Sequence, residues 1–308
     1  LSRVYDLLQE YPTLVREIAT PTLPTCITGC IKIISKKTSG STHTIEPEGS
    51  TSVLQAVLEM FNLLLPIYST VFRPFSGQLH AIVTPLLAPT QQLLVKGNGL
   101  VDEDIVLELA RQLFANLHFC APKNTNGDYW KKSFDSLKEE THLTVDQVFR
   151  GIIEDWESSD GSSRPIQPQA SYREPMSIRD SPLSLPRFRG VFEGVQRLVG
   201  LLQTLRVILA SKSATPVQLR LGVISDLISR LTSITAPAGS GSQNEPRINP
   251  EIDRFERDAM FCELPKIHIA AMRVLLMLCR RLENGFAPFT NNAIDQVLWI
   301  FEAEKDSE

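Results

Sequence analysis

The sequence has no long apolar run. Its richest stretch, 61–71, is broken by Asn62, Pro66, Ser69 and Thr70. Nothing reaches the roughly 18 residues needed to cross a membrane, so no membrane partner is expected. Strand signals are nearly absent. No Asn-Gly or Asp-Gly turn sits between alternating segments, and Asn126-Gly127 separates two helical stretches instead. Charge of one sign is also lacking. A net charge of −4 over 308 residues is far from the basic excess of a dedicated nucleic-acid binder. Local basic patches leave direct RNA contact open. The opening residues Leu1-Ser2-Arg3-Val4-Tyr5-Asp6-Leu7-Leu8 carry neither a signal nor a transit pattern. They read as the middle of an amphipathic helix, so the expectation is a segment of a longer protein.

Cysteine is scarce and unpaired in pattern. The five cysteines are scattered along helical stretches, which fits a reducing compartment. Cys26 and Cys30, four apart, share a helix face. A zinc site would need two more ligands, and no second Cys/His pair has finger-like spacing. Two packed thiols are the favoured reading, because free Cys is among the most buried residue types. No Asn-x-Ser/Thr sequon occurs.

Catalytic motifs are missing as well. There is no Gly-x-Ser-x-Gly elbow and no His-Glu-x-x-His pair. Gly239-Ser240-Gly241-Ser242 lacks the Gly-Lys-Ser/Thr and the preceding strand that a phosphate loop needs, and reads as a linker. The five histidines (His43, His80, His118, His142, His268) show neither metal nor triad spacing. Glu154, Asp155 and Glu157 read as a solvated helix end. No enzyme, no metal and no cofactor are expected.

What the sequence does carry is helical period almost throughout. Ile105, Leu109, Leu113 and Leu117 recur every four residues behind an acidic first turn, Asp102-Glu103-Asp104, which suits the positive end of a helix dipole. Thr215-Pro216-Val217-Gln218 has a capping residue, proline at the first helical position and Gln closing a capping box. It predicts a helix start, with Leu219, Val223, Ile224, Leu227, Ile228 and Leu231 forming the apolar face. Similar patterns predict helices near 1–10, 13–19, 22–36, 51–72 (kinked at Pro66), 76–88, 128–154, 187–212, 251–260, 264–282 and 290–303. Helices of this length with short connectors pair and stack. The spacing is compatible with the 40–47-residue unit of HEAT and armadillo arrays. The expected fold is therefore all-α: an irregular HEAT/armadillo-like helical repeat array with long inserted loops, with a compact bundle as the rival. The repeats divide into 1–157 and 187–308.

Three stretches interrupt the pattern: 38–50, 236–250 and, the longest, 158–186, which holds five prolines. The last cannot bury enough apolar surface to offset its ordering entropy. It carries spaced anchors, Tyr172, Met176, Ile178, Leu183 and Leu185, followed by Arg187 and Arg189, and these are the candidate partner-binding residues. Ser181-Pro182 fits a proline-directed phosphorylation site, where phosphate would add up to about two negative charges beside Arg179 and Arg187. Arg187, Arg189, Arg197 and Arg206 make a basic stretch that suits phosphates or an acidic surface, although a solvated helix face is favoured. Leu198-Val199-Gly200-Leu201-Leu202 has the Leu-x-x-Leu-Leu form of a groove-binding peptide, but the favoured reading is the core face of its own helix.

Several stretches carry a family resemblance: Glu10-Tyr11-Pro12-Thr13-Leu14-Val15-Arg16-Glu17 with Thr20-Pro21-Thr22-Leu23-Pro24, then Arg73-Pro74-Phe75, Leu117-His118-Phe119-Cys120-Ala121-Pro122-Lys123, and Pro216-Val217 with Leu221-Gly222-Val223-Ile224. In this order they resemble the fungal pre-rRNA-processing Rix-one family, whose animal relatives are the proline-, glutamate- and leucine-rich proteins. The resemblance implies a non-enzymatic nuclear scaffold, in nucleolus and nucleoplasm, for maturation of the large ribosomal subunit. It implies a WD-repeat propeller protein, a second helical-repeat protein, a giant dynein-like AAA ATPase and the pre-ribosomal large subunit as partners, and a part in pre-rRNA spacer removal. It leaves a homodimer open and offers no catalytic residue. The rival function is a generic HEAT-type adaptor or a transport-type scaffold.

Overall fold

The computed structural model describes residues 7, 10–35, 51–88, 103–158, 181–213, 215–237 and 246–305. The described chain is helical, as expected, and has no strand; Ile152 and Ile248 form an isolated antiparallel bridge. Nine helices of a dozen or more residues stand among the described residues: α1 Thr20–Ile34, α2 Thr51–Leu64, α3 Ser76–Leu87, α4 Glu103–Asn116, α5 Asn126–Val148, α6 Gly190–Ala210, α7 Leu221–Ser233, α8 Arg254–Leu282 and α9 Thr290–Lys305. They belong to two compact units. The first comprises Leu1–Phe134 with Ser211–Val217, the second Asp135–Ala210 with Gln218–Glu308.

In the first unit, a short helix, Pro12–Leu14, and a π-helical turn, Val15–Ala19, lead into α1. Helix α1 buries Leu23, Ile27, Ile31 and Ile34, one stripe at spacings of three and four. Helix α2 packs on α4, and α4 on α3. Pro66 ends α2 rather than kinking it, because the ring lacks the N–H that the next turn needs. The chain turns at 65–68 and re-enters helix at Ser69–Phe72. The stripe expected on α4 is displaced by about one residue. Val106, Ala110, Leu113 and Phe114 are buried, while Ile105 is exposed. Ile105-Val106 and Leu109-Ala110 are adjacent apolar pairs, so spacing alone could not choose between the two stripes. The tertiary contacts do, and they include Asn62, whose Nδ2 donates to the Leu109 carbonyl at 2.8 Å.

The start expected at Thr215 is not a helix start. Residues 216–220 are irregular, and α7 begins at Leu221 without a side-chain cap. Thr215 packs instead against the first turn of α5. Its Oγ1 would lie 3.1 Å from a β-carbon placed on Gly127. Here a tertiary contact outweighs a local capping signal worth about 1 kcal/mol.

In the second unit, α6 and α8 form the main pair, with α7 also on α8. Helices expected at 251–260 and 264–282 are one continuous α8, passing through Pro265. Proline in a helix interior costs about 3 kcal/mol. Burial of Met260, Leu264, Ile267, Ala271, Val274 and Leu278 as one stripe offsets it, at roughly 1.5–3 kcal/mol for each large side chain. Helix α6 starts late, at Gly190, whose φ of +69° lies in the left-handed region that favours glycine. Helix α5 stops at Val148, where a turn leads to the Ile152–Ile248 bridge.

Candidate interaction surface

The second unit holds its non-helical segments with two buried arginines. Helix α5 supplies Glu140, which is fully buried at 0% exposure. Its Oε1 accepts from Arg197 of α6 at 2.5 Å. Arg197 donates through its other terminal nitrogen to the Pro186 carbonyl at 2.6 Å, and its guanidinium sits 5.1 Å from the Phe188 ring centre. Burial draws the Arg197 pKa down, and Glu140 opposes this. The other Glu140 oxygen accepts from the Ser181 hydroxyl at 2.5 Å. A strap, 181–189, is thereby drawn onto α5 and α6.

The second arginine is Arg230 of α7, 1% exposed. It donates to both Glu154 oxygens at 2.7 Å and to Asp146 at 2.5 Å, and its ring neighbour is Trp156, 5.2 Å away. Burial alone would lower its pKa, but the hydrogen bonds and charges of Glu154 and Asp146 outweigh burial and the net direction is upward. His142 lies 3.2 Å from the same guanidinium and stacks on Trp156. Burial first, then the Arg230 and Lys138 charges, lower its pKa to about 4 against a weaker pull from Asp226. Glu154 is therefore not the solvated helix end that the sequence suggested. Its side chain is 5% exposed and belongs to this centre, whereas Asp155 is exposed and faces Arg247. A buried pair of carboxylates does exist here, but both are committed to one arginine.

The sequence-predicted binding residues fall into three groups. Tyr172, Met176 and Ile178 lie outside the described residues. Leu183 and Leu185 are 5% and 8% exposed, so they pack into their own unit rather than standing free as anchors. The Glu140–Arg197 pair gives the physical reason, since it fixes both ends of Ser181–Pro186. Arg187 and Arg189 are exposed. Ser181 is half-buried. Leu198, Leu201 and Leu202 are fully buried, so the Leu-x-x-Leu-Leu stretch is the core face of α6. The expected basic stretch is split, because Arg197 turns inward.

A different surface carries exposed apolar area. Between α8 and α9 runs a groove of about 310 Å³, lined by Ile269, Met272, Arg273 and Leu276 on one side and Ile300 and Phe301 on the other. Ile269 is 54%, Leu276 50% and Phe301 68% exposed, with Ile294 and Leu298 also open on α9. Sequence reasoning missed it because 251–260 and 264–282 were read as helices without their faces being assigned. Ile269, Met272 and Leu276 form a second stripe at spacings of three and four, on a face other than that of Leu264 and Ile267. A helix apolar on two faces was the available signal. His268 at the groove floor is buried, with Nε2 3.0 Å from the Ile234 carbonyl. Among the described residues no three His, Cys, Asp or Glu side chains could hold a metal ion. Cys26 and Cys30 do adjoin, and burial together with Cys26 lifts the Cys30 thiol to about 11.

One further arrangement concerns the stretches behind the family resemblance. Arg73 donates from Nε to the Cys120 carbonyl at 2.9 Å and from a terminal nitrogen to the Ala121 carbonyl at 3.0 Å. Arg73-Pro74-Phe75 and Leu117–Lys123 are thus one local structure that caps the end of the α4 helical run, with Arg73 reaching Cys120 across 47 residues of sequence.

Residues 1–94 match the RIX1 family. The family model is described as rRNA processing/ribosome biogenesis. A search of curated proteins finds no match. Among solved structures, a chain from the Rix1 subcomplex (body 3) of a Rix1–Rea1 pre-60S particle superposes with a TM-score of 0.61 over 97% of this chain, at 17% identity. This chain spans 45% of that chain's length. The RIX1 resemblance read from Glu10–Pro24 falls inside the matched residues, and the all-α fold is shared with the Rix1 helical body.

Proposed function

We propose that this chain is the helical scaffold part of a RIX1-type factor that acts in the nucleus, nucleolus and nucleoplasm included, on the maturing large ribosomal subunit. The observation that carries this reading is the RIX1 match of residues 1–94. The Rix1–Rea1 pre-60S particle from which the superposable chain comes supports it. The chain binds and positions and has no reaction of its own. The finer roles proposed with it are support of pre-rRNA spacer removal and recruitment of the giant dynein-like AAA ATPase. The proposed partners are the WD-repeat propeller protein, the second helical-repeat protein and the pre-ribosome. Mechanistically this is rigid presentation: packed helices hold a surface whose groove between α8 and α9 takes an apolar helix face of a partner protein, with a carboxylate opposite Arg273 at its rim.

Affinity purification of the full-length protein at moderate salt, followed by mass spectrometry and RNA sizing, tests the assignment. Recovery of large-subunit precursors, the ATPase and a WD-repeat protein is the expected result. Transport cargo or an unrelated complex, with no ribosomal precursor, would overturn it and favour the generic adaptor.

A further inference from the structure

We propose that Ser181 is a phosphorylation site and that phosphate there releases the strap 181–189 from the core of the second unit. Two independent features meet at this residue. Ser181-Pro182 has the form that proline-directed kinases accept, and its position in a non-helical segment allows the extended backbone that a kinase cleft requires. The same hydroxyl is a structural donor, because it donates a hydrogen bond to Glu140 at 2.5 Å and accepts one from the Leu185 amide at 3.3 Å.

The strap is closed around that donor. Ser184 N–H donates to the Ser181 carbonyl at 3.0 Å, and Ser184 itself turns through a φ of +52°. Leu183, Leu185 and Phe188 are buried beneath, and Arg197 grips the Pro186 carbonyl. All of this depends on a carboxylate with no exposure to water. Glu140 uses one oxygen for Arg197 and the other for the Ser181 hydroxyl, and the Leu183 amide also donates to that second oxygen at 3.4 Å.

Phosphoryl transfer removes the donor and adds charge. The serine oxygen forms a bond to the γ-phosphorus of ATP while the bond from that phosphorus to the ADP oxygen breaks, and the hydroxyl proton passes to the kinase's catalytic base. The product carries about two negative charges at neutral pH and has no proton to donate. Held in the closed position it would face a buried carboxylate whose cation, Arg197, is already shared. A buried charge left without a partner is among the most costly changes a fold can suffer. Opened, the phosphate lies in water near the exposed Arg187 and Arg189. The kinase acts on the open strap, and the product cannot close, so modification shifts the population to the open form. Opening uncovers Leu183 and Leu185, the anchors that the closed state hides.

The experiment treats the purified chain with a proline-directed Ser/Thr kinase and ATP, locates phosphate by mass spectrometry and follows amide hydrogen exchange through 183–189. The expected result is phosphate on Ser181 and exchange of the strap faster by on the order of a hundredfold, with α8 unchanged. Ser181→Ala accepts no phosphate at this position. Ser181→Glu opens the strap, whereas Ser181→Gln, matched in size but neutral, opens it no more than about threefold. Absence of phosphate on Ser181, phosphate without faster exchange, or equal opening by the Glu and Gln variants would each overturn the proposal. The phosphorylated wild-type chain keeps the test valid if Ser181→Glu fails to fold.

Discussion

At the residue scale the second unit is set by which charges are buried and what holds them. An arginine–carboxylate pair inside a fold is weak evidence for net stability, because desolvation consumes most of the attraction. Its stronger effect is geometric. Arg230 gathers Asp146, Glu154, Trp156 and His142 around one guanidinium, and so ties Glu154 and Trp156 to α5 and α7. His142 gives the centre a pH dependence. Its folded pKa of about 4 lies below the ordinary 6.5, so the unfolded chain binds this proton more tightly than the folded one. The stability it contributes is complete above pH 6.5 and is lost as pH falls through the interval toward 4. The full interval corresponds to about 3 kcal/mol. Urea midpoints should therefore fall between pH 7 and pH 5, and His142→Gln should flatten that slope. His80 and His118 are lowered in the same direction by burial, so some slope will remain. An unchanged slope in His142→Gln would mean that this imidazole is solvated.

At the element scale, packing decides what periodicity leaves open. The helical character of α1, α6 and α9 was legible, since each shows apolar residues at spacings of three and four. The join of 251–260 to 264–282 was not. Pro265 is locally a breaker, and only the continuous burial of Met260 through Leu278 against a neighbour overrides it. The false start at Thr215 has the same cause, because a strong local cap was spent on a contact with α5. Leu183 and Leu185 were read as free anchors because nothing in the sequence announces that Glu140, 41 residues before Ser181, turns inward to meet it. Gly194 shows how tight the resulting seam is. A β-carbon there would meet Phe188 at 2.9 Å and Val148 at 3.0 Å. Both neighbours are buried, and Phe188 belongs to the strap. Gly194→Ala gains about 1 kcal/mol in helix propensity but overpacks this site at a cost of about 1–3 kcal/mol. The expected net result is a lower melting temperature and faster amide exchange in the strap. Thermal melts and hydrogen exchange check both, and a raised melting temperature would show that Phe188 has room to move.

At the scale of the whole molecule, the question is which surface the proposed scaffold offers to partners. Conserving one buried stripe on α8 requires only Leu264, Ile267, Ala271, Val274 and Leu278. Stability does not explain why Ile269, Met272 and Leu276 are apolar as well, since the first and last are half exposed. Contiguous exposed apolar area rimmed by charge marks interaction sites more often than neutral surface. The pair Leu276→Asp and Phe301→Ser separates the two explanations, because both side chains project from helices whose cores they do not fill. If the groove serves binding, the double variant keeps its melting temperature to within about 2 °C, as surface changes of about 0.5 kcal/mol imply. Its recovery of large-subunit precursors in affinity purification falls at least about tenfold, the loss of about 1.4 kcal/mol or more that truncating a central apolar anchor brings. A large drop in melting temperature would instead make these residues part of the fold. Full recovery of precursors by a stably folded variant would move the partner surface elsewhere, with the exposed Arg187 and Arg189 of the strap the next residues to change.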